Sequence, residues 1–494
     1  MEVAMLLREK NIGFNTRTLK YSVLGILFLI AIGIRIALYH VVTSDYTAFI
    51  SQWYDYIKSN GGFAAFKDNF YNYNPPYLYL IALTTYTPIP KLIALKSISV
   101  IFDIVLAVFT YLIIRLKYDR SYAAFIGALV LLFAPTIIIN SSAWGQCDAI
   151  YTSFCLGSLY FLLKDRTGWA CTFFGLAIAF KLQAIFFLPV LLIVLIKRRT
   201  SIKDLIKYLI LIPVIFFVLL IPTLMAGRSV SSVLSIYTEQ VSSGGVGATA
   251  GAGGAGGAGG AGGTGQRAGG TGGFERPAGA GAGGFERPAG AGTGQGGTGG
   301  FERPAGAGAG STGQGSSGTA HVMGMGGTSN SFSSSALTYN APSFYQWLSA
   351  DPAGYWKYVG ILLAGLAVLG VALLVWTSKV PFTAEIIIKM TLVLALAIPF
   401  LLPEMHERYF YLADATSIIY AFYFPRSFYI AILVQLCSLL SYAPYFYGSP
   451  VISLGIVAFV VLVVTLITLT NLIFTLFPNF KKSVLQPEGD INEK

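Results

Sequence analysis

The chain is a succession of apolar runs long enough to enter a lipid bilayer, and this limits it to very few architectures. A bilayer core of about 30 Å needs about 20 apolar residues per helix. Runs fitting that rule, some of them short, are 21–42, 92–115, 121–139, 148–163, 168–180, 184–196, 205–225, 355–376, 384–402, 408–424, 427–443 and 451–476. Inside lipid every backbone N–H and C=O must find a partner within the protein, so such runs become helices. The expected fold is all-α: a polytopic membrane protein of about 12 transmembrane helices. Composition agrees, because charged residues make up only 11% of the chain against about 25% in soluble domains.

The net charge of +11 lies in short basic clusters between apolar runs. That pattern is one of positive-inside anchors, not of a nucleic-acid surface. With the N-terminus in the cytoplasm, Arg115-Leu116-Lys117, Lys164-Asp165-Arg166, Lys197-Arg198-Arg199, Lys379, Arg426 and Lys481-Lys482 all fall inside. Both termini are therefore expected to be cytoplasmic in a multi-pass cell-membrane protein. Arg8, Lys10, Arg17 and Lys20 precede the first apolar run, and no small-residue cleavage site follows it. A retained first helix is expected. Cys147, Cys155, Cys171 and Cys437 form no Cys-x-x-Cys pair, so neither a disulfide framework nor a zinc site is indicated.

Four regions follow: a membrane module with its first outer loop (1–225), a long outer loop (226–353), the C-terminal membrane helices (354–480) and a cytoplasmic tail (481–494). In the first outer loop, Phe49, Trp53, Tyr56 and Ile57 recur at near-helical spacing, which suits helices lying along the membrane surface. The following segment from Pro75 to Ile81, bounded by Pro88 and Pro90, is too short to span and is expected to re-enter or lie at the interface. Within the long loop, residues 244–318 are almost wholly Gly, Ala, Ser, Thr and Gln. Gly-Gly-Phe-Glu-Arg-Pro-Ala-Gly-Ala-Gly occurs there from Gly272, Gly283 and Gly299 with uneven spacing. So little apolar surface does not offset ordering entropy, and a disordered insert is expected.

Ionisable residues near membrane depth are functional candidates by default. Asp45, just after the first helix, is placed to act as a general base or, more plainly, to cap the next helix. Trp144-Gly145-Gln146-Cys147-Asp148 combines a flat ring with polar groups suited to a sugar; the plainer reading is an interfacial Trp beside a capping Asp. Lys181, in Phe180-Lys181-Leu182-Gln183, sits in the middle of a long apolar run on the outer side, where an anion such as a lipid phosphate would account for it; the plainer reading is a turn lysine between two short helices. Pro403-Glu404-Met405-His406-Glu407-Arg408-Tyr409 joins two apolar helices; His406 and Arg408 suit a phosphate, with Glu407 orienting a neighbour. No second His stands at helical spacing, so this is not a zinc-protease motif.

Together these pieces resemble the membrane-embedded glycosyltransferases of the GT-C type, and more narrowly bacterial relatives of GPI mannosyltransferase II. The residues that carry the resemblance are Asp45, Asn72-Tyr73-Asn74-Pro75-Pro76-Tyr77, Trp144-Gly145-Gln146-Cys147-Asp148, Phe180-Lys181-Leu182-Gln183 and Met405-His406-Glu407-Arg408-Tyr409. It implies inverting transfer of a hexose, mannose by the narrower likeness, from a polyprenyl-phosphate carrier to a lipid, glycan or protein acceptor on the non-cytoplasmic face. In that fold the base is an acidic residue of the first outer loop, a position matched by Asp45. Many such enzymes carry two adjacent acids there, whereas Ser44 and Tyr46 flank Asp45, which brings Asp55 and Asp68 in as alternatives or partners. Donor phosphate would be held by His406, Arg408 and Lys181; Trp144, Gln146, Asp148, Gln183 and Glu407 would contact sugar or orient neighbours. No cofactor and no obligate metal are expected, because side-chain cations can balance a lipid phosphate.

A transporter or flippase for a lipid-linked or small polar substrate is the main alternative. Transporters usually show two similar halves, and no half-to-half similarity is visible in this sequence. A ligase or polymerase of lipid-linked glycans would normally need a larger, basic outer loop, and 226–353 is nearly uncharged.

Overall fold

A computed structural model of the protein describes residues 16–119, 122–242, 337–348 and 354–480. The glycine-rich insert 244–318 and the tail 481–494, with its Lys481-Lys482 anchor, lie outside the described residues. The chain is an all-α, multi-pass membrane protein. Among the described residues, seven helices are long and apolar enough to cross a membrane: Leu19–His40, Lys91–Arg115, Ile202–Met225, Tyr355–Thr377, Ala384–Leu401, Pro425–Tyr447 and Leu454–Leu476. An eighth crossing is added if the bent pair Ala123–Phe133 and Pro135–Trp144 counts as one span. The other apolar runs form shorter helices at Asp148–Leu163, Thr167–Phe180, Leu182–Lys197 and Tyr411–Tyr423.

Local chemistry sets the breaks. Pro135 forces Ala134 into extended backbone (ψ 124°), and the two halves of that pair meet at 54°. The helix Pro75–Thr85 begins on two prolines, whose fixed φ suits a first turn that needs no N–H partner. Its 11 residues are too few to span, as the sequence indicates, and seven of them are buried. It packs on Lys91–Arg115 and on Leu211–Met225.

Large apolar side chains face outward along the long helices, among them Leu29, Ile30, Phe217, Leu362, Leu366 and Leu369. On a membrane protein such a surface is the lipid contact. Inside, Ala384–Leu401 and Tyr411–Tyr423 are buried along nearly their whole length and form the centre of the main apolar core. A second core lies in the first loop, built from Trp53, Tyr54, Ile57, Phe66, Tyr77 and Leu78. The expected surface helices there are a π turn (Tyr46–Ile50), an α-helix (Ser51–Ser59) and a 3-10 turn (Gly62–Lys67).

Part of the long loop belongs to the bundle. Residues 337–348 lie on it, and Thr338–Tyr339 pairs in parallel with Met405–His406. An isolated bridge joins Asn340 to His406 beside it, and no further strand pairing occurs among the described residues.

Candidate active site

Five segments distant in sequence converge at one end of the bundle. The first helix closes with a 3-10 turn at Leu38–His40, and the chain then runs to Asp45. Asp45 stands at the N-terminus of the π turn, but its side chain does not cap it. The hydroxyl of Thr43 takes the Tyr46 N–H instead, at 3.4 Å. Asp45 Oδ2 is left to accept from Trp144 Nε1 at 2.9 Å and from Gln146 Nε2 at 2.5 Å. The Asp45 carboxylate therefore faces the site, and its side chain keeps 26% of its exposure.

The second segment is a π-helical stretch, Ile139–Trp144, ended by Gly145 in the left-handed region at φ 79°. Glycine adopts this conformation without steric penalty. The reversal lets Gln146 N–H reach Asn140 O at 2.9 Å and brings Trp144 and Gln146 to the same carboxylate. Trp144, expected to contact sugar or orient a neighbour, has a fully enclosed ring, stacked on Tyr445 at a centroid distance of 4.1 Å with the Arg408 guanidinium 5.5 Å away. Its N–H orients Asp45.

Asp148 is likewise buried, beside a buried cation. Its Oδ1 pairs closely with Lys181 Nζ, and its Oδ2 accepts from Asn140 at 2.9 Å. Lys181 reaches it from the break between Thr167–Phe180 and the 3-10 turn Leu182–Phe187, with backbone in extended conformation. The anion that accounts for Lys181 in this structure is thus a carboxylate of the chain itself. Burial raises the Tyr409 hydroxyl pKa, and Gln183, two residues on from Lys181, is among the groups that oppose the rise.

Arg408 joins the groups. Its Nη1 lies 3.8 Å from Asp45 Oδ2 and 3.6 Å from Glu407 Oε1, and its Nε lies 3.7 Å from Asp148 Oδ2. These are ion-pair distances beyond hydrogen-bond length, and Nε makes no hydrogen bond. Burial opposes the Arg408 charge, but Asp45, Asp148 and Glu407 outweigh it and hold its pKa above the ordinary value. Burial raises Glu407 to about 7, against the opposing pull of Arg408. His406 precedes this pair on the short strand, with its ring stacked on Tyr339 at 4.8 Å and tilted against Tyr409 at 5.2 Å.

The alternative acids are engaged elsewhere. Asp55 pairs with Lys91 at 2.8 Å, and Asp68 accepts from Tyr56 at 3.0 Å. Among the described residues no group of three His, Cys, Asp or Glu side chains is arranged to hold a metal.

The sequence reading missed Lys96. Its ammonium, fully buried, donates to the carbonyls of Val41 at 2.5 Å, Ser142 at 2.7 Å and Ala143 at 3.0 Å. It therefore ties together the two stretches that present Asp45 and Trp144. Arg35 and Asp103 were missed too; they pair at 2.8 Å, with Ser141 donating to the same Asp103 oxygen at 2.6 Å. A charge inside an apolar run is a visible signal for all three.

Fold and site together define a multi-pass membrane protein with a buried cluster of acids and cations at one end of its helices. The family model of glycosyltransferase family 87 matches residues 71–253, a stretch that carries Trp144, Gln146, Asp148, Lys181 and Gln183. The match supports a membrane glycosyltransferase. No curated protein matches the chain.

Proposed function

We propose that the protein transfers a hexose, with inversion, from a polyprenyl-phosphate donor to an acceptor hydroxyl on the non-cytoplasmic face, and that Asp45 is the base. The observation that supports this most is Asp45 itself: a partly exposed carboxylate, fixed by Trp144 and Gln146, 3.8 Å from the partly buried Arg408. The acceptor oxygen forms its bond to the anomeric carbon as the bond from that carbon to the phosphate oxygen breaks. The bonding electron pair leaves on phosphate, and the acceptor proton goes to Asp45.

Charge balance gives Arg408 its part. A sugar phosphodiester carries one negative charge, and the departing lipid phosphate gains a second. Asp45 loses one charge in the same step. The pocket total is unchanged, and Arg408 is released from Asp45 as the phosphate comes to need it. A preorganised cation placed where charge develops is the largest single catalytic term in most enzymes. His406, two residues before Arg408, is the second phosphate ligand. Lys181 acts one step removed: it neutralises Asp148, which leaves Arg408 free to serve the phosphate. Gln183 lies near Tyr409 beside this turn. The lipid tail lies between helices near the outer leaflet, and the first-loop aromatic core excludes water. Mannose is the hexose we favour, by the resemblance described above.

The test supplies purified protein in detergent with a panel of polyprenyl-phosphate sugars and follows the product by mass spectrometry. Asp45→Asn keeps the shape of the side chain and is expected to lower transfer by about 10²–10⁴-fold with an unchanged thermal midpoint. Full activity in that variant would reject Asp45 as the base. Transfer from a nucleotide sugar alone would reject the donor class. Transport needs a closed membrane, so turnover in detergent also separates this reading from a transporter or flippase.

A further inference from the structure

The segment that follows the glycine-rich insert is tied to the bundle at three points. Leu337 O accepts from Glu404 N–H at 2.8 Å, next to the strand pairs Thr338 with Met405 and Tyr339 with His406. Tyr345 OH donates to Leu401 O at 2.9 Å, at the end of helix Ala384–Leu401. Trp347 Nε1 donates to Gly455 O at 3.0 Å, in the first turn of Leu454–Leu476. The backbone it holds is itself strained: Glu404 has φ 59°, a left-handed conformation unfavourable for a residue with a Cβ. A close ion pair between Glu404 and Lys357 fixes that turn from the other side.

The tethered segment delivers one ring to the site. Tyr339 lies nearly parallel to the His406 imidazole, at 4.8 Å between centroids and 19° between planes. With Tyr409 against the ring as well, at 5.2 Å and 58°, the imidazole is confined by two aromatics from different parts of the chain. A side chain locked in this way spends little entropy when it meets a ligand.

We propose that Tyr339 is a positioning residue for the donor: it fixes the plane of His406 so that the imidazole meets the lipid phosphate beside Arg408. This rests on the proposed role of His406 as a phosphate ligand. It goes beyond it by assigning a part in the donor site to the exit of the long loop, outside the stretch 71–253 that the family model covers. The ring, not the hydroxyl, makes the stack, so Tyr339→Phe retains the function and Tyr339→Leu, apolar but without a ring, does not.

The experiment uses the full chain in detergent with farnesyl phosphate as the probe, measured by isothermal calorimetry, together with transfer kinetics at varied donor. Tyr339→Leu and Tyr339→Ala are expected to weaken farnesyl phosphate about tenfold and to raise donor KM equally, with kcat within about threefold of the parent. Tyr339→Phe is expected to bind within about twofold of the parent. The proposal is overturned if Tyr339→Leu binds like the parent, if Tyr339→Phe is as weak as Tyr339→Leu, or if the loss falls on kcat with KM unmoved. Should the parent chain fail to bind farnesyl phosphate at all, the phosphate-site reading falls first and takes this one with it. A weakened His406→Ala beside an unaffected Tyr339→Leu would sink the positioning role alone.

Discussion

Arg35 and Arg408 are both arginines set beside buried aspartates, and the structure uses them in opposite ways. Arg35 is inaccessible and closely bonded, with only its Nη2 left without a hydrogen bond. Its Nε bonds Asp103 at 2.8 Å, and its Nη1 donates to Ala31 O at 3.1 Å and to Leu132 O at 2.8 Å. It joins the first helix to Lys91–Arg115 and to the bent pair just before its break at Pro135. Arg408 instead has three carboxylates at 3.6–3.8 Å, no hydrogen bond at Nε, and 16% of its side chain exposed. A guanidinium held charged by a surrounding field, with hydrogen-bonding capacity left over, suits a ligand that comes and goes. Distance to the partner, more than burial, separates the structural charge from the one we propose to act on substrate.

The largest effect expected from breaking this comparison is on stability at Arg35. Arg35→Leu leaves the Asp103 carboxylate buried without its cation, which costs about 3–5 kcal/mol. A lower thermal midpoint in detergent would register it, while transfer per folded molecule stays within about threefold of the parent. Replacing Asp103 with Leu as well removes the orphaned charge and should recover most of the loss. If the single change left the midpoint unmoved, Arg35 would not be the closed structural pair described above.

Arg408→Gln should behave in the reverse manner. Asp45 keeps Trp144 and Gln146, and Asp148 keeps Lys181 and Asn140, so no carboxylate of that pair is stranded. Stability is expected to shift by less than about 2 kcal/mol, and transfer to fall by about 10²–10³-fold. Arg408→Lys restores the charge but not the planar fork, and should recover only part of the rate. A variant that unfolds like Arg35→Leu and transfers normally once folded would erase the distinction between the two arginines.

The sequence made Arg408 easier to see than Arg35, for a physical reason. His406, Glu407 and Arg408 sit together in a turn between apolar helices, where a cluster of polar residues stands out. Arg35, Lys96 and Asp103 lie singly inside apolar runs, and their partners are backbone carbonyls, the distant Ser141 or, for Arg35 and Asp103, each other across 68 positions. Helical character was legible from run length alone, because lipid leaves the backbone little choice. The interior arrangement was less so. Trp144 and Asp148 read by residue type as suited to a sugar or to orienting neighbours, and nothing local to them shows that Tyr445, some 300 positions on, would cover the ring. The strand that pairs Tyr339 with His406 is two residues long and has no periodic signature.

The smallest effect expected concerns Glu407, and it sharpens what holds Arg408 ready. Burial raises the Glu407 carboxyl to about 7. Its folded pKa thus exceeds the ordinary value of 4.5, so the folded state holds a proton that the unfolded chain releases. The resulting stability is complete below about pH 4.5 and is lost as pH rises through about 7. The same titration changes the site: below it Glu407 is neutral and Arg408 answers only to Asp45 and Asp148, whereas above it a third carboxylate lies 3.6 Å away and, under the proposed donor reading, competes with a donor phosphate. Donor KM is therefore expected to rise by about threefold to tenfold between pH 6 and pH 8, and Glu407→Gln should flatten that rise while keeping the KM of the low-pH form. A profile in Glu407→Gln that still climbs through pH 7 would place the competing charge on another group and leave Arg408 tuned by Asp45 and Asp148 alone.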